Sequence, residues 1–381
     1  MKVGVIGYGG RVSSMLEILF RYDLGVELTA IMDTDFDAVR KILKQYNRDE
    51  SKITFYSDAD DMLEKEEFDG VMIGSRCSTH TDYAVKVLEK NIPLFLEKPV
   101  STTMEELRRL QEAATKTTAQ VVVSFPLRVS PMVRLAKEIV DSGKIGTVEH
   151  IQAINNVPYG GVYYHSWYRD ESITGGLFMQ KATHDLDYIR YLMDQKPMTI
   201  CAMESKQIFK GNRPAGLYCA DCPDKQTCLE GPFVMEHIKI DSNHGYQCCY
   251  AQDTGNHDSA SVLMRFENGA HASYSQNFFA RKSAAARGAR LLGYKGTLEF
   301  DWYTDELKVY MHDATGKQVH KLDTAAIQHG GGDEVLALNF IEIMQGKSES
   351  VAPLSAGIES ALMCLKAKES CQTESFVKVA F

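Results

Sequence analysis

The sequence predicts an α/β protein in two parts. An N-terminal doubly wound parallel sheet is followed by a C-terminal α+β domain with a large, open, mainly antiparallel sheet. Three observations carry this. Up to about residue 125, short near-continuous apolar runs alternate with helix-spaced segments, as parallel strands covered on both faces require. Beyond that point the apolar runs lengthen and are joined by turn chemistry such as Glu267-Asn268-Gly269. A length of 381 residues, with 44% hydrophobic and 24% charged side chains, suits two globular domains and excludes disordered or collagen-like chain. The domains are expected over residues 1–124 and 125–381.

The elements follow in order. An apolar run at 3–6 stops at glycines, and 12–21 then has helical spacing through Met15, Leu16 and Leu19. The run 26–32 ends at Asp33. Strand signals recur at 71–73, 93–96 and 121–123, with helices over 80–90 and from Thr103, where Thr103-Met104-Glu105-Glu106 reads as a capping box. In the second half, 148–155, 197–209, 259–266, 270–276, 296–300 and 307–311 read as strands. A glycine turn at 329–333 opens a late helix over 334–345. Residues 210–256, rich in Gly, Cys, Pro and Asp, read as an irregular insertion.

Charge narrows the partners. Lys plus Arg is 42 and Asp plus Glu is 51, a net charge of −9, which argues against nucleic acid or an anionic membrane. No apolar run approaches the roughly 18 residues of a membrane span. The start, Met1-Lys2-Val3-Gly4-Val5-Ile6, passes straight into a glycine turn without a leader pattern. A cytoplasmic location is expected, and its reducing conditions argue against a disulfide framework from the nine cysteines.

Gly7-Tyr8-Gly9-Gly10-Arg11-Val12 lies between a strand and a helix. Gly7 permits the tight turn, and Gly9 lets backbone approach a pyrophosphate on the helix N-terminus, as in the Rossmann dinucleotide fingerprint. Val12 stands where Gly or Ala is usual, and its bulk is expected to push the helix slightly off the strand. Asp33, at the end of the second strand, is placed to bind both ribose hydroxyls and to repel a 2′-phosphate, which favours NAD over NADP.

Phe95-Leu96-Glu97-Lys98-Pro99 ends the fifth strand at the carboxyl edge where doubly wound sheets bind ligands. Together with the N-terminal turn, this segment resembles the Gfo/Idh/MocA family of nicotinamide-dependent oxidoreductases. Asp69-Gly70-Val71-Met72-Ile73-Gly74 followed by His80, then Arg128 and Pro131, then Gly143-Lys144-Ile145-Gly146, stand in the family's order. The resemblance implies that Ser75, His80, Glu97 and Lys98 join the turn residues at the coenzyme. It also implies that Lys98 lies beside the nicotinamide and hydrogen-bonds the reacting oxygen, and that Arg128 reaches the substrate.

Gly175-Gly176 opens a helix on which, at about 100° per residue, Gln180, His184, Asp187 and Tyr191 share a sector. Ala182, Leu186, Ile189 and Met193 take the opposite side. The family motif here is Asp-x-x-x-His in the substrate pocket. His184 matches the histidine, which acts as general acid/base or orients the substrate. Gln180 replaces the aspartate and cannot take a proton, and Lys181 adds a cation. Tyr163, Tyr164 and Arg169 belong to an aromatic stretch that reads either as a sugar-stacking wall or as core packing.

Cys219, Cys222, Cys228 and Cys248 have spacing compatible with a closed structural zinc site, with Cys249, His237 or His244 as substitutes. Free thiols are the competing reading. The expected function is an NAD-dependent oxidoreductase acting on a secondary hydroxyl of a sugar, sugar derivative or cyclitol. The alternative is an NAD-dependent glycoside-cleaving enzyme that oxidises the sugar transiently and eliminates the aglycone. The resemblance further implies a homodimer or homotetramer.

Overall fold

The computed structural model describes residues 1–231, 246–323 and 328–381. In chain order its main elements are β1 (Lys2–Ile6), α1 (Gly10–Arg21), β2 (Glu27–Met32), α2 (Phe36–Gln45), β3 (Thr54–Tyr56), α3 (Ala59–Lys65), β4 (Gly70–Ile73), α4 (His80–Glu89), β5 (Leu94–Leu96), α5 (Met104–Lys116), β6 (Val121–Val123) and α6 (Pro131–Asp141). There follow β7 (Val148–Asn156), α7 (Val162–His165), α8 (Glu171–Thr174), a π-helical turn (Phe178–Ala182), α9 (Thr183–Met193), β8 (Pro197–Ser205), β9 (Ser259–Phe266), β10 (His271–Asn277), β11 (Ala286–Gly293), β12 (Gly296–Asp301), β13 (Glu306–Met311), β14 (Lys317–Lys321), α10 (Gly332–Met344), α11 (Leu354–Thr373) and β15 (Val377–Lys378). Two compact units result: residues 1–134 with 326–362 and Phe381, and residues 135–325 with 363–380.

The first unit holds a parallel six-stranded sheet in the order β3-β2-β1-β4-β5-β6. The strands β4, β5 and β6 are buried at every position, which explains their apolar runs. Strand order reverses between β1 and β4, and ligands of such sheets bind at the carboxyl ends beside that reversal. Helix starts follow local chemistry. Asp35 caps α2, Asp58 caps α3, and Thr103 with Glu106 forms the expected capping box on α5. Residues 326–362 return to this unit because α10 covers its sheet. Phe340 and Met344 lie against Gly70, whose missing Cβ would stand 2.6 Å from the Met344 sulfur.

The second unit holds a nine-stranded sheet, β14-β13-β12-β11-β7-β10-β9-β8-β15. Its pairs are antiparallel apart from β7 with β10. Burial alternates along β7 and β9, as one covered and one open face demand. The buried side includes Ile151, Ala153, Val262 and Met264. β11, β14 and β15, absent from the sequence expectations, complete the sheet. The described part of the insertion forms no strand of the sheet, only the isolated bridges Arg213–Ala251 and Tyr218–Gln247.

Candidate active site

In the first unit, the carboxyl ends of β1, β2, β4 and β5 carry the expected coenzyme residues. Gly7 has φ +81°, and a Cβ there would lie 2.5 Å from the Ser75 backbone. The turn therefore needs glycine both for its left-handed dihedral and for space. Gly9 precedes α1 without a side-chain cap, and the first turn of the helix carries no acidic residue. The N–H groups of Gly10, Arg11 and Val12 are thus left with the partial positive charge that suits a pyrophosphate. No Cβ at Gly10 would meet anything within 4 Å, so backbone is open to an approaching group there.

Asp33 organises the neighbouring edge. Its Oδ2 accepts from the Tyr8 N–H at 2.8 Å, and its Oδ1 accepts from the N–H groups of Thr34 at 2.7 Å and Asp35 at 3.0 Å. The carboxylate is fixed beside the glycine turn and remains partly exposed, as a ribose-binding group must be. The glycine turn and its acidic neighbour fit the dinucleotide that the sequence suggests.

Two side chains of the turn have other tasks. The Tyr8 ring is buried, leaving only its backbone at the turn surface. Arg11 spends its guanidinium within the unit, on Glu97 at 3.0 Å, on the Asp333 carboxylate at 2.5 and 2.7 Å, and on the Ser124 hydroxyl at 3.1 Å. Burial alone would lower its pKa, but Glu97 and Asp333 outweigh that and raise it. Arg11 thereby clasps α1, β5 and α10 together. Glu97 is likewise committed to this clasp.

The bulky Val12, expected to push the helix off the strand, packs instead against a glycine across the turn. The space is supplied by Gly74, where a Cβ would fall 2.0 Å from Val12 Cγ2. Ser75 accepts a hydrogen bond from Thr79 Oγ1 at 2.8 Å. The buried His80 ring lies 2.8 Å from the Pro99 carbonyl through Nδ1 and 3.1 Å from the Ser75 carbonyl through Nε2. It ties the segment after β4 to the one after β5, and burial lowers its pKa. Lys98, partly exposed, follows β5 and precedes Pro99 through a cis peptide. Arg128 is also partly exposed in this unit.

In the second unit, Gln180 and Lys181 lie in the π-helical turn, and His184 follows at the start of α9. The Thr183 N–H reaches back to the Phe178 carbonyl, which widens the coil, a form frequent at functional sites. The expected polar face is not solvated: all three side chains are buried, and so are Asp185 and Asp187. Lys181 Nζ donates to Tyr159 Oη at 2.8 Å and stands 4.9 Å from the Tyr159 ring centre and 5.5 Å from that of Tyr163.

Sequence reasoning missed the group that anchors this segment. Asp185, fully buried, accepts from Arg287 Nε at 2.9 Å and Nη2 at 3.1 Å, from Asn155 Nδ2 at 2.8 Å and from Tyr274 Oη at 2.9 Å. Burial would depress the Arg287 pKa, yet the adjacent carboxylate holds it above its ordinary value. Tyr274 continues to Gln276, which meets His257 at 2.9 Å, and His257 pairs with Glu204 at 2.8 Å. A polar chain therefore runs through the core of the unit. Tyr159 was also missed; a lone tyrosine after a strand carries no sequence signal of chemistry.

The aromatic stretch divides. Tyr164 is a core residue, its ring 4.1 Å from that of Phe209 and its hydroxyl donating to the His257 carbonyl at 2.6 Å. Tyr163 packs edge-on against Phe278 and Tyr168. Arg169 is buried on Asp253 at 2.6 Å and the Cys248 carbonyl at 3.2 Å, so it braces the insertion. The packing reading accounts for Tyr164 and Arg169 as they stand here.

Cys219, Cys222, Cys228 and Cys248 are free thiols. Burial pushes the Cys219 thiol up to about 12, with the neighbouring cysteines adding to the effect. Among the described residues no group of three or more His, Cys, Asp or Glu side chains is arranged to hold a metal ion. The proposed zinc set therefore finds no support there, and His237 and His244 lie outside the described residues. Among the described residues, too, no helix is long and apolar enough to cross a membrane.

A parallel sheet of this order with an uncapped glycine turn and an adjoining carboxylate defines a dinucleotide-binding fold. Residues 1–125 match the oxidoreductase family with an NAD-binding Rossmann fold, and residues 133–299 match the GFO/IDH/MocA C-terminal domain. The chain belongs to the Gfo/Idh/MocA family of oxidoreductases, and its first unit is that family's NAD(H)-binding Rossmann fold. It is 26% identical over 372 residues to YteT of Bacillus subtilis (strain 168), named as an oxidoreductase, covering 87% of this chain and 86% of that one. It is 25% identical over 248 residues to the inositol 2-dehydrogenase/D-chiro-inositol 3-dehydrogenase of Lacticaseibacillus casei, covering 65% of this chain and 68% of that one. Among solved structures, levoglucosan dehydrogenase in complex with NADH and levoglucosan superposes with a TM-score of 0.79 at 20% identity, covering 100% of both chains. That likeness is one of fold.

Proposed function

We infer that this oxidoreductase is NAD-dependent and moves hydride between nicotinamide and a secondary hydroxyl of a sugar, sugar derivative or cyclitol. The observation that carries the reading is the β1–α1 turn, with uncapped N–H groups on one side and Asp33 held by the Tyr8 N–H on the other. The turn suits the pyrophosphate, and Asp33 suits the ribose hydroxyls and repels a 2′-phosphate. Relatives named as inositol dehydrogenases and the fold shared with levoglucosan dehydrogenase support a polyhydroxylated substrate.

When bound, NAD supplies the hydride acceptor. The chain's residues supply the rest. Lys98 donates to the substrate oxygen and stabilises the negative charge that develops on it. His184 accepts the hydroxyl proton or orients the hydroxyl for its removal. The first unit holds the coenzyme and the second the substrate. The exposed Ile154, Met203 and Leu263 on the sheet of the second unit support self-association as a homodimer or homotetramer, which light scattering measures.

The test is a spectrophotometric panel of sugars, cyclitols and keto-sugars with NAD and with NADP. Net NADH formation with at least one member, abolished in Lys98→Ala while NAD affinity persists, is the expected result. Turnover unchanged in Lys98→Ala rejects the assignment. Aglycone released from glycosides without net NADH replaces it with the transient-oxidation reaction.

A further inference from the structure

Lys181 is a buried ammonium with an unusual set of neighbours. Its side chain has three donors, and the structure gives it one acceptor, the neutral Tyr159 hydroxyl at 2.8 Å, with the faces of Tyr159 and Tyr163 around it. Among the described residues it makes no salt bridge. The nearby carboxylate, Asp185, is already taken by both arms of Arg287. A buried cation without a counter-charge is costly. The nearest group able to become an anion is Tyr159, by giving up its phenolic proton. Among the described residues the Tyr159 hydroxyl has no other hydrogen-bond partner, and the residue is 43% exposed.

The geometry points to Tyr159, paired with Lys181, as the group that takes up the proton of the substrate hydroxyl. This inference rests on the dehydrogenase reading above. In the oxidation, the O–H bond of the carbinol breaks and its proton passes to the Tyr159 oxygen. The C–H pair leaves as hydride to oxidised nicotinamide, the carbonyl forms, and the phenol later returns the proton to water. His184 is then left to orient the hydroxyl. Gln180, at the position where the family motif has an aspartate, needs no proton chemistry of its own.

The charges around Tyr159 agree with this role. The Lys181 ammonium pulls the phenol below its ordinary value, against the opposing effect of burial, and Arg287 on β11 pulls the same way. Asp185 on α9 opposes them. Tyr163 on α7 and Tyr303, after β12, stay protonated because burial raises both, Tyr303 to about 12. Tyr159 is thus the tyrosine of this cluster tuned towards ionisation, the direction a proton-accepting phenol requires.

Two measurements on the full chain test it. The first is a titration of phenolate absorbance. The wild type should show one tyrosine ionising ahead of the others, absent in Tyr159→Phe, moved to higher pH in Lys181→Met and retained in Lys181→Arg. Absence of that early step, or its survival in Tyr159→Phe, overturns the pairing. The second is the pH profile of kcat on whichever panel substrate turns over. Tyr159→Phe should lose about 10²–10⁴-fold in kcat with NAD affinity and far-UV circular dichroism intact, and Lys181→Met should move the acidic limb, where the phenolate is lost to protonation, to higher pH. A limb unchanged in Tyr159→Phe, or a change confined to KM, overturns the proton-transfer role. A wild-type chain forming NADH with no substrate overturns the dehydrogenase reading and this role with it, while the titration still decides separately whether the pair shares a proton.

Discussion

Replacing Asp185 by Asn removes one charge and almost no volume, so its cost can be worked from contacts. The carboxylate receives four hydrogen bonds. One falls on Oδ1 from Arg287 Nε, and three fall on Oδ2 from Asn155, Tyr274 and Arg287 Nη2. The best amide orientation keeps its oxygen at the Oδ2 site and turns its NH2 towards Arg287 Nε, a donor against a donor. The larger loss is electrostatic, since Arg287 is left as a buried cation without its counter-ion. Breaking one side of a buried pair costs about 3–5 kcal/mol, and that is the expected fall in stability for Asp185→Asn. Arg287→Met added to it removes the stranded cation, and the asparagine still accepts from Asn155 and Tyr274. The double variant should therefore be more stable than Asp185→Asn alone. Urea unfolding followed by tryptophan fluorescence reads this unit selectively, because Trp167 and Trp302 are the only tryptophans and both lie in it. A loss below about 1 kcal/mol in the single variant, or a double variant no more stable than Asp185→Asn alone, would refute the reasoning.

Two further outcomes concern the coenzyme unit. Gly74→Ala places a methyl 2.0 Å from Val12 Cγ2 and should cost about 1–3 kcal/mol by overpacking, with Val12→Ala restoring most of it. Hydrogen exchange over residues 1–125 measures both, and a Gly74→Ala chain as protected as wild type contradicts the packing argument. His80 is buried and its pKa lowered, first by desolvation. The unfolded chain then binds a proton near its usual value of about 6.5 while the folded one resists. The stability that wild type holds over His80→Gln should be full above that value and shrink as pH falls below it; a gap that stays constant as pH falls counts against a neutral buried imidazole.

The coenzyme half was legible in sequence because each requirement is local. Gly7 is needed at a positive φ, Asp33 ends the next strand, and Lys98 follows a short apolar run, so the candidate residues sit beside the elements that announce them. Val12 was read as a misfit because its compensation, Gly74, lies 62 residues away in sequence (74 minus 12), and only the fold brings the two together. β11 was passed over for a related reason. Its sequence, ARGARLLG, looks like a loop, yet Gly288 is required there because a Cβ would fall 1.9 Å from the Phe300 carbonyl oxygen. Missing that strand also hid Arg287, and without Arg287 nothing in the sequence shows why Asp185 is buried.

The π-helical turn decides which polar groups of the second unit stay available. In a regular helix Lys181 and Asp185, four residues apart, would be neighbours on one face and would neutralise each other. Here the wider turn through Phe178–Ala182 changes the phase ahead of α9, and Asp185 is directed to Arg287, Asn155 and Tyr274 instead. Lys181 is left with Tyr159, so a residue pair that would have been an inert ion pair becomes a cation beside an ionisable phenol. The two halves of the arrangement depend on each other. Arg287 must hold Asp185 for Lys181 to remain without a carboxylate, and the same Arg287 helps lower the Tyr159 phenol. Arg287→Met should therefore do more than weaken the fold. With Asp185 released to compete for Lys181, the early tyrosine ionisation should move to higher pH even where the unit remains folded. An early step that stays in place in folded Arg287→Met protein would mean that Lys181 alone sets it and that the β11 arginine serves only the core.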